Sequence, residues 1–137
     1  MTLSKDLNTN ALAYMGDAVY EVYVREHLLS NGIVHTDKLQ KEAVSYVSAA
    51  SQELIIRALM DDKLTDDELA LVKRARNHKA SSSKRSKASR KGSDIITDKL
   101  ATAFEALIGY LYLKGETGRL GELIRSSFDI IEGKENE

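Results

Sequence analysis

Apolar residues recur along this chain at steps of three and four. The clearest run is Leu39, Ala43, Val47, Ala50, Leu54 and Ala58, which lines one face of a helix. It predicts a helix over residues 37–60, with Thr36 as its N-cap. An earlier helix is expected over residues 7–29, stopped by Asn31 and Gly32. Thr65 followed by Glu68 has capping-box spacing and opens a helix over 66–78. Two more helices are expected over 98–114, ending at Gly115, and over 119–131. The tail from 133 to 137 should fray. No stretch alternates at period two, and proline is absent, which removes the strongest helix breaker. The expected fold is an all-α bundle of about five main helices. A chain of 137 residues, 42% hydrophobic, suits one domain spanning 1–137 with a real core.

Two of these helices break the usual amphipathic rule. Residues 11–24, ALAYMGDAVYEVYV, are apolar except for Asp17 and Glu21. Residues 101–113, ATAFEALIGYLYL, carry Glu105 as their only charge. A carboxylate in an apolar helix is expensive unless a cation meets it, and the nearest helical source is a Lys or Arg three or four residues away. Asp17 has Ala13, Tyr14, Tyr20 and Glu21 at those positions; Glu105 has Ala101, Thr102, Ile108 and Gly109. Neither has a local cation. Either the two acids sit solvated at helix rims or they share an external cation. Magnesium suits the second reading, because it keeps several waters and needs only one or two protein carboxylates. Gly16 and Gly109 interrupt the same helices. Each costs about 1 kcal/mol relative to alanine, a cost tolerated where something must approach closely.

Net charge is only −1, but its distribution is uneven. Nine basic residues crowd between Lys73 and Lys91, with no Asp or Glu among them. The remaining eleven basic residues face all twenty-one acidic ones. An acidic body with one concentrated basic segment suits a polyanionic partner. Overlapping its second half, residues 80–95 are rich in Ser, Lys and Arg and are expected to form a flexible basic loop. Arg74, Arg76 and Lys79 fall near the preceding helix end; Lys84, Arg85, Lys87, Arg90 and Lys91 fall in the loop. The segment is either a solvated linker or a set of phosphate contacts. Cysteine is absent, which excludes disulfides and thiolate metal sites and fits a cytoplasmic protein. No signal peptide or membrane span is expected. His27, His35 and His78 have no ligand spacing and read as surface or capping residues. Tyr14, Tyr20, Tyr23, Tyr110 and Tyr112 read as core or dimer contacts.

The two acidic segments resemble the signatures of the ribonuclease III family. Tyr14-Met15-Gly16-Asp17-Ala18-Val19 is similar to the family's L-G-D core. The stretch from Ala103 through Phe104, Glu105, Ala106, Leu107, Ile108 and Gly109 to Leu113 is similar to its F-E-A-L-I-G motif. Val72-Lys73-Arg74-Ala75-Arg76-Asn77 matches a third segment, in the same order along the chain. Longer family members carry further acids where this chain has Ala13 and Thr102. That reduced pattern resembles the branch called Mini-ribonuclease III, a catalytic domain without a double-stranded RNA-binding domain.

The resemblance implies an all-α homodimer with one acidic site per subunit, each cutting one strand of duplex RNA. It places Asp17 and Glu105 on metal-ligand positions, with Mg²⁺ as cofactor and no small-molecule cofactor. It implies maturation of large-subunit (23S) ribosomal RNA precursor as the task. Glu21, one turn after Asp17, is a candidate outer-shell acid or a plain surface acid. Phosphodiester cleavage needs an activated water, charge neutralisation and help for the leaving oxygen, and one or two magnesium ions can supply all three. A non-catalytic RNA-binding or ribosome-assembly protein on the same fold is the competing reading. The presence of both Asp17 and Glu105 favours catalysis.

Overall fold

The computed structural model describes residues 8–78 and 92–134. Among them are six α-helices and no strand: α1 Thr9–Ser30, α2 Thr36–Val47, α3 Ala49–Asp62, α4 Asp66–Asn77, α5 Gly92–Lys114 and α6 Thr117–Glu132. The all-α expectation holds. The helix expected over 37–60 is instead two, because Ser48 turns extended (φ −62°, ψ 156°). Its hydroxyl caps α3 by accepting the amide of Ser51 at 3.2 Å. The apolar spacing runs unbroken through this kink, so periodicity alone conceals it. Thr36 is itself the first residue of α2, and His35 stands at the cap without a side-chain bond. At the other end of the basic segment, α5 begins at Gly92, so residues 92–95 belong to a helix and not to the loop. Gly133 is the left-handed cap of α6, and Lys134 donates its amide to Asp129 at 2.8 Å, so these two residues of the expected tail are tied down.

Helix α5 is the axis of the bundle, packed by α1, α3, α4 and α6. Ala103, Phe104, Ala106, Leu107 and Ile108 are fully buried, which is the signature of a helix hydrophobic on every side. Tyr20 of α1 meets Phe104 edge-on, with ring centroids 5.0 Å apart, a favoured aromatic geometry. The Tyr20 hydroxyl donates to the Tyr46 carbonyl at 2.9 Å and so ties α1 to the end of α2.

Two polar clusters lock the ends. Tyr46 donates to Glu132 Oε2 at 2.6 Å, and a ring nitrogen of His27 lies 2.6 Å from the same oxygen. The His27 ring stacks on Phe128 at 4.4 Å. His27 is therefore a half-buried link between α1 and α6, not the surface residue its lack of ligand spacing suggested. Glu68 closes its capping box with Thr65 and also receives Arg119 through both oxygens, at 2.9 and 2.7 Å. This joins α4 to α6. No described helix is long and apolar enough to cross a membrane.

Helices α1 and α5 approach each other closely. A Cβ built on Gly16 would overlap the carbonyl of Glu105, and one built on Gly109 would overlap the carbonyl of Leu12. These obstacles are backbone, which cannot swing aside as a side chain can. The two glycines let the helices touch main chain to main chain. Gly109→Ala is therefore expected to destabilise the protein by about 1–3 kcal/mol or more, as overpacking does. Gly121 sits in α6 with only the far end of Arg125 nearby, at 3.6 Å. Gly121→Ala is expected to stabilise by about 0.5–1 kcal/mol. Urea unfolding of both variants checks the contrast; equal effects would contradict the close-crossing account.

Candidate active site

Asp17 follows Gly16, and Glu105 presents its own carbonyl to Gly16. The glycine contact that brings α1 onto α5 therefore brings the two acids to one point. Their carboxyl groups lie within hydrogen-bond distance of each other, and Glu105 also bonds to the side chain of Gln52 from α3. Asp17 is exposed and Glu105 is half-buried, so the pair sits at the rim of the core with one open side. Their meeting was expected, and the structure shows it.

Among the described residues neither acid joins an ion pair with Lys or Arg, and no cation is among the groups acting on Glu105. Burial and then the neighbouring Asp17 carboxylate push the Glu105 carboxyl up from its ordinary 4.5 to about 8. Two carboxylates in contact cannot both ionise cheaply. A shared proton or a shared cation resolves the conflict, and the open side admits either.

A hydrated divalent ion fits this donor set. Among the described residues no cluster of three or more His, Cys, Asp or Glu side chains is placed to hold a metal. Ions that demand a closed protein cage are poorly served by two carboxylates. Magnesium, which keeps most of its water, is well served. Ala13 is buried and Thr102 is half-buried, and neither adds an acid to the pair.

The other candidate residues fall as follows. Glu21 accepts from Arg25 Nε at 3.2 Å on its own helix. Arg74 is exposed on α4; Arg76 is half-buried, donates to Asn77 Oδ1 at 3.3 Å and lines an open groove with Arg57. Lys79, Lys84, Arg85, Lys87, Arg90 and Lys91 lie outside the described residues. Sequence reasoning missed Gln52. The signal was present: Gln52 is the one polar member of the α3 stripe that buries Ile55, Ile56 and Leu59.

The raised Glu105 group has a measurable consequence. Between pH 4.5 and about 8 the folded metal-free protein holds a proton that the unfolded chain releases. Stability from this group is therefore lost as pH rises across that window. Glu105→Gln removes the titrating group. Thermal melts from pH 5 to 8.5 are expected to fall more steeply for the wild type than for Glu105→Gln, with the variant the more stable of the two at pH 8. Parallel curves would show that the carboxyl pair carries no such strain.

Known proteins share this sequence and fold. The family profile described as the Ribonuclease III domain matches residues 10–116. The Mini-ribonuclease 3 of Brevibacillus brevis is 46% identical over 135 residues, 96% of each chain. That of Symbiobacterium thermophilum is 42% identical over 121 residues, 88% of each. A crystal structure of a Fusobacterium nucleatum protein superimposes with a TM-score of 0.74 at 29% identity, covering 94% of this chain and 95% of the other. Both the profile and these relatives span the Asp17 and Glu105 segments together, and the chain belongs to the ribonuclease III family of double-strand-specific endoribonucleases.

Proposed function

We propose that the protein hydrolyses phosphodiester bonds of duplex RNA at the Asp17–Glu105 pair, using a divalent ion, and acts in the cytoplasm as a homodimer on ribosomal RNA precursor. The observation that carries this reading is the meeting of two carboxylates from α1 and α5 with no cation between them among the described residues. Asp17 and Glu105 would hold the ion, with Mg²⁺ the best match to so sparse a donor set. When bound, the ion supplies water activation and charge neutralisation at the scissile phosphate.

The chain's own residues have distinct roles. Glu105, braced from α3, fixes the inner wall of the site. Asp17, exposed, forms the outer wall and leaves room for a phosphate to approach. Glu21 stands one turn further along the same face, engaged with Arg25, and is an outer residue of the site. Lys79, Lys84, Arg85, Lys87, Arg90 and Lys91, with Arg74 and Arg76, supply positive charge that an acidic body otherwise lacks. Duplex RNA is read largely through phosphates, shape and 2′-hydroxyls, so sequence-tolerant basic contacts are adequate. The homodimer is supported by an apolar stripe on α1: Tyr14, Ala18 and Val22 are exposed at four-residue spacing beside Asp17. Large exposed apolar patches mark interaction sites, and cutting two strands with one site per subunit calls for a second copy. The large-subunit (23S) ribosomal RNA precursor is the substrate implied by the resemblance of the Asp17 and Glu105 motifs to the Mini-ribonuclease III branch.

Duplex RNA incubated in Mg²⁺ is expected to be cleaved by the wild type and left intact by Asp17→Asn, which still binds it. Binding without cleavage by both would make the protein an RNA-gripping factor and not a nuclease. Replacing Lys84, Arg85, Lys87, Arg90 and Lys91 together by Ala is expected to weaken RNA binding and flatten its dependence on salt, because each lost phosphate contact removes released counterions. An unchanged salt slope in a filter-binding titration would remove that role from the segment.

A further inference from the structure

Gln52 is 1% exposed, and its amide oxygen is the only buried side-chain polar atom without a hydrogen-bond partner among the described residues. Buried polar atoms are nearly always satisfied, and the exceptions call for an explanation. An exchanged amide does not supply one. The Gln52 nitrogen donates to the Val47 carbonyl at 3.1 Å, and the same side chain bonds to the Glu105 carboxyl group. The Val47 carbonyl can only accept, so the nitrogen must face it and the oxygen cannot. That oxygen shares its carbon with the nitrogen that braces Glu105, so it lies beside the carboxylate pair.

What the oxygen lacks is a donor. Among the described residues none reaches it; the Ser51 hydroxyl is used on the Ser45 carbonyl at 2.7 Å and that of Thr97 on Glu53 at 2.7 Å. Water on a divalent cation is a strong donor, and metal sites commonly fix such waters and ligands through residues that never touch the metal. The geometry points to Gln52 as the positioning residue of this site: its nitrogen holds Glu105 in place, and its unpaired oxygen accepts a hydrogen bond from a water in the ion's hydration shell. This rests on the metal reading of Asp17 and Glu105. It also explains why a polar side chain occupies the core stripe of α3, where Ile55, Ile56 and Leu59 are otherwise fully buried.

Mn²⁺ binding, followed by electron paramagnetic resonance on the folded protein well below its melting temperature, tests this without using activity. Gln52→Leu keeps the bulk and removes both amide functions; it is expected to weaken Mn²⁺ binding about 10- to 100-fold, the usual cost of losing an outer-shell partner. Gln52→Glu keeps an oxygen acceptor and adds negative charge; it is expected to lower the melting temperature of the metal-free protein while binding Mn²⁺ at least as tightly as the wild type. A merely structural glutamine would lower the melting temperature in both variants and leave the affinity of Gln52→Leu within twofold of the wild type, which would overturn the proposal. If Gln52→Leu does not fold, Gln52→Met decides by the same criterion: affinity weakened about 10-fold or more supports the role, and affinity within twofold of the wild type overturns it. Asp17→Asn run alongside separates the two levels. If it binds Mn²⁺ like the wild type, the metal reading itself fails and the role of Gln52 fails with it; if it loses Mn²⁺ while Gln52→Leu does not, the fault lies with Gln52 alone.

Discussion

The backbone contact between Gly16 and the Glu105–Gly109 turn is the constraint on which the rest of the structure depends. Helices usually keep about 8–10 Å between axes because side chains intervene. Here two missing side chains let main chain meet main chain, and the residues next to the contact are Asp17 and Glu105. The same feature that makes α5 a buried axis therefore brings the two carboxylates of the proposed active site together. Folding places two like charges against each other, and the core on the inner side of Glu105 prevents its carboxylate from escaping to solvent. The conflict is held by the tight packing around it, by the Tyr20–Phe104 contact on one side and Gln52 on the other.

This arrangement explains why the site can be so sparse. Two acids are few ligands for the proposed metal ion. They suffice for an ion that keeps its own water, provided that their positions are fixed. Rigidity comes from elsewhere in the bundle: the Glu132 junction with Tyr46 and His27, and the Glu68–Arg119 bridge, pin both ends of α6 and the helices beside it. Neither cluster carries chemistry. Each joins helices distant in sequence, so that the helices carrying Asp17, Gln52 and Glu105 keep their spacing.

Much of this was legible in the residues because the strongest signals were violations of ordinary helix rules. Asp17 and Glu105 stood out as charges without local partners, and Gly16 and Gly109 as helix breakers tolerated inside helices. Those four positions are the crossing. What escaped had no one-dimensional signature. The break at Ser48 is hidden because apolar spacing continues through it. The start of α5 at Gly92 is hidden because Ile95 and Ile96 remain exposed and the flanking residues read as linker. His27 lacks ligand spacing to other histidines, and its partner Glu132 is 105 residues away. Gln52 looks like any polar residue until its stripe is known to face the core. In each case the missing information is a long-range contact, which periodicity and capping rules do not encode.

The central claim is that the two carboxylates share a divalent ion. Anomalous diffraction from crystals grown in Mn²⁺ tests it most directly. The account predicts a strong anomalous peak touching both Asp17 and Glu105, with water completing its shell and one such water facing the Gln52 amide oxygen. A map with no peak at that point, or with each carboxylate turned to a guanidinium, would contradict it.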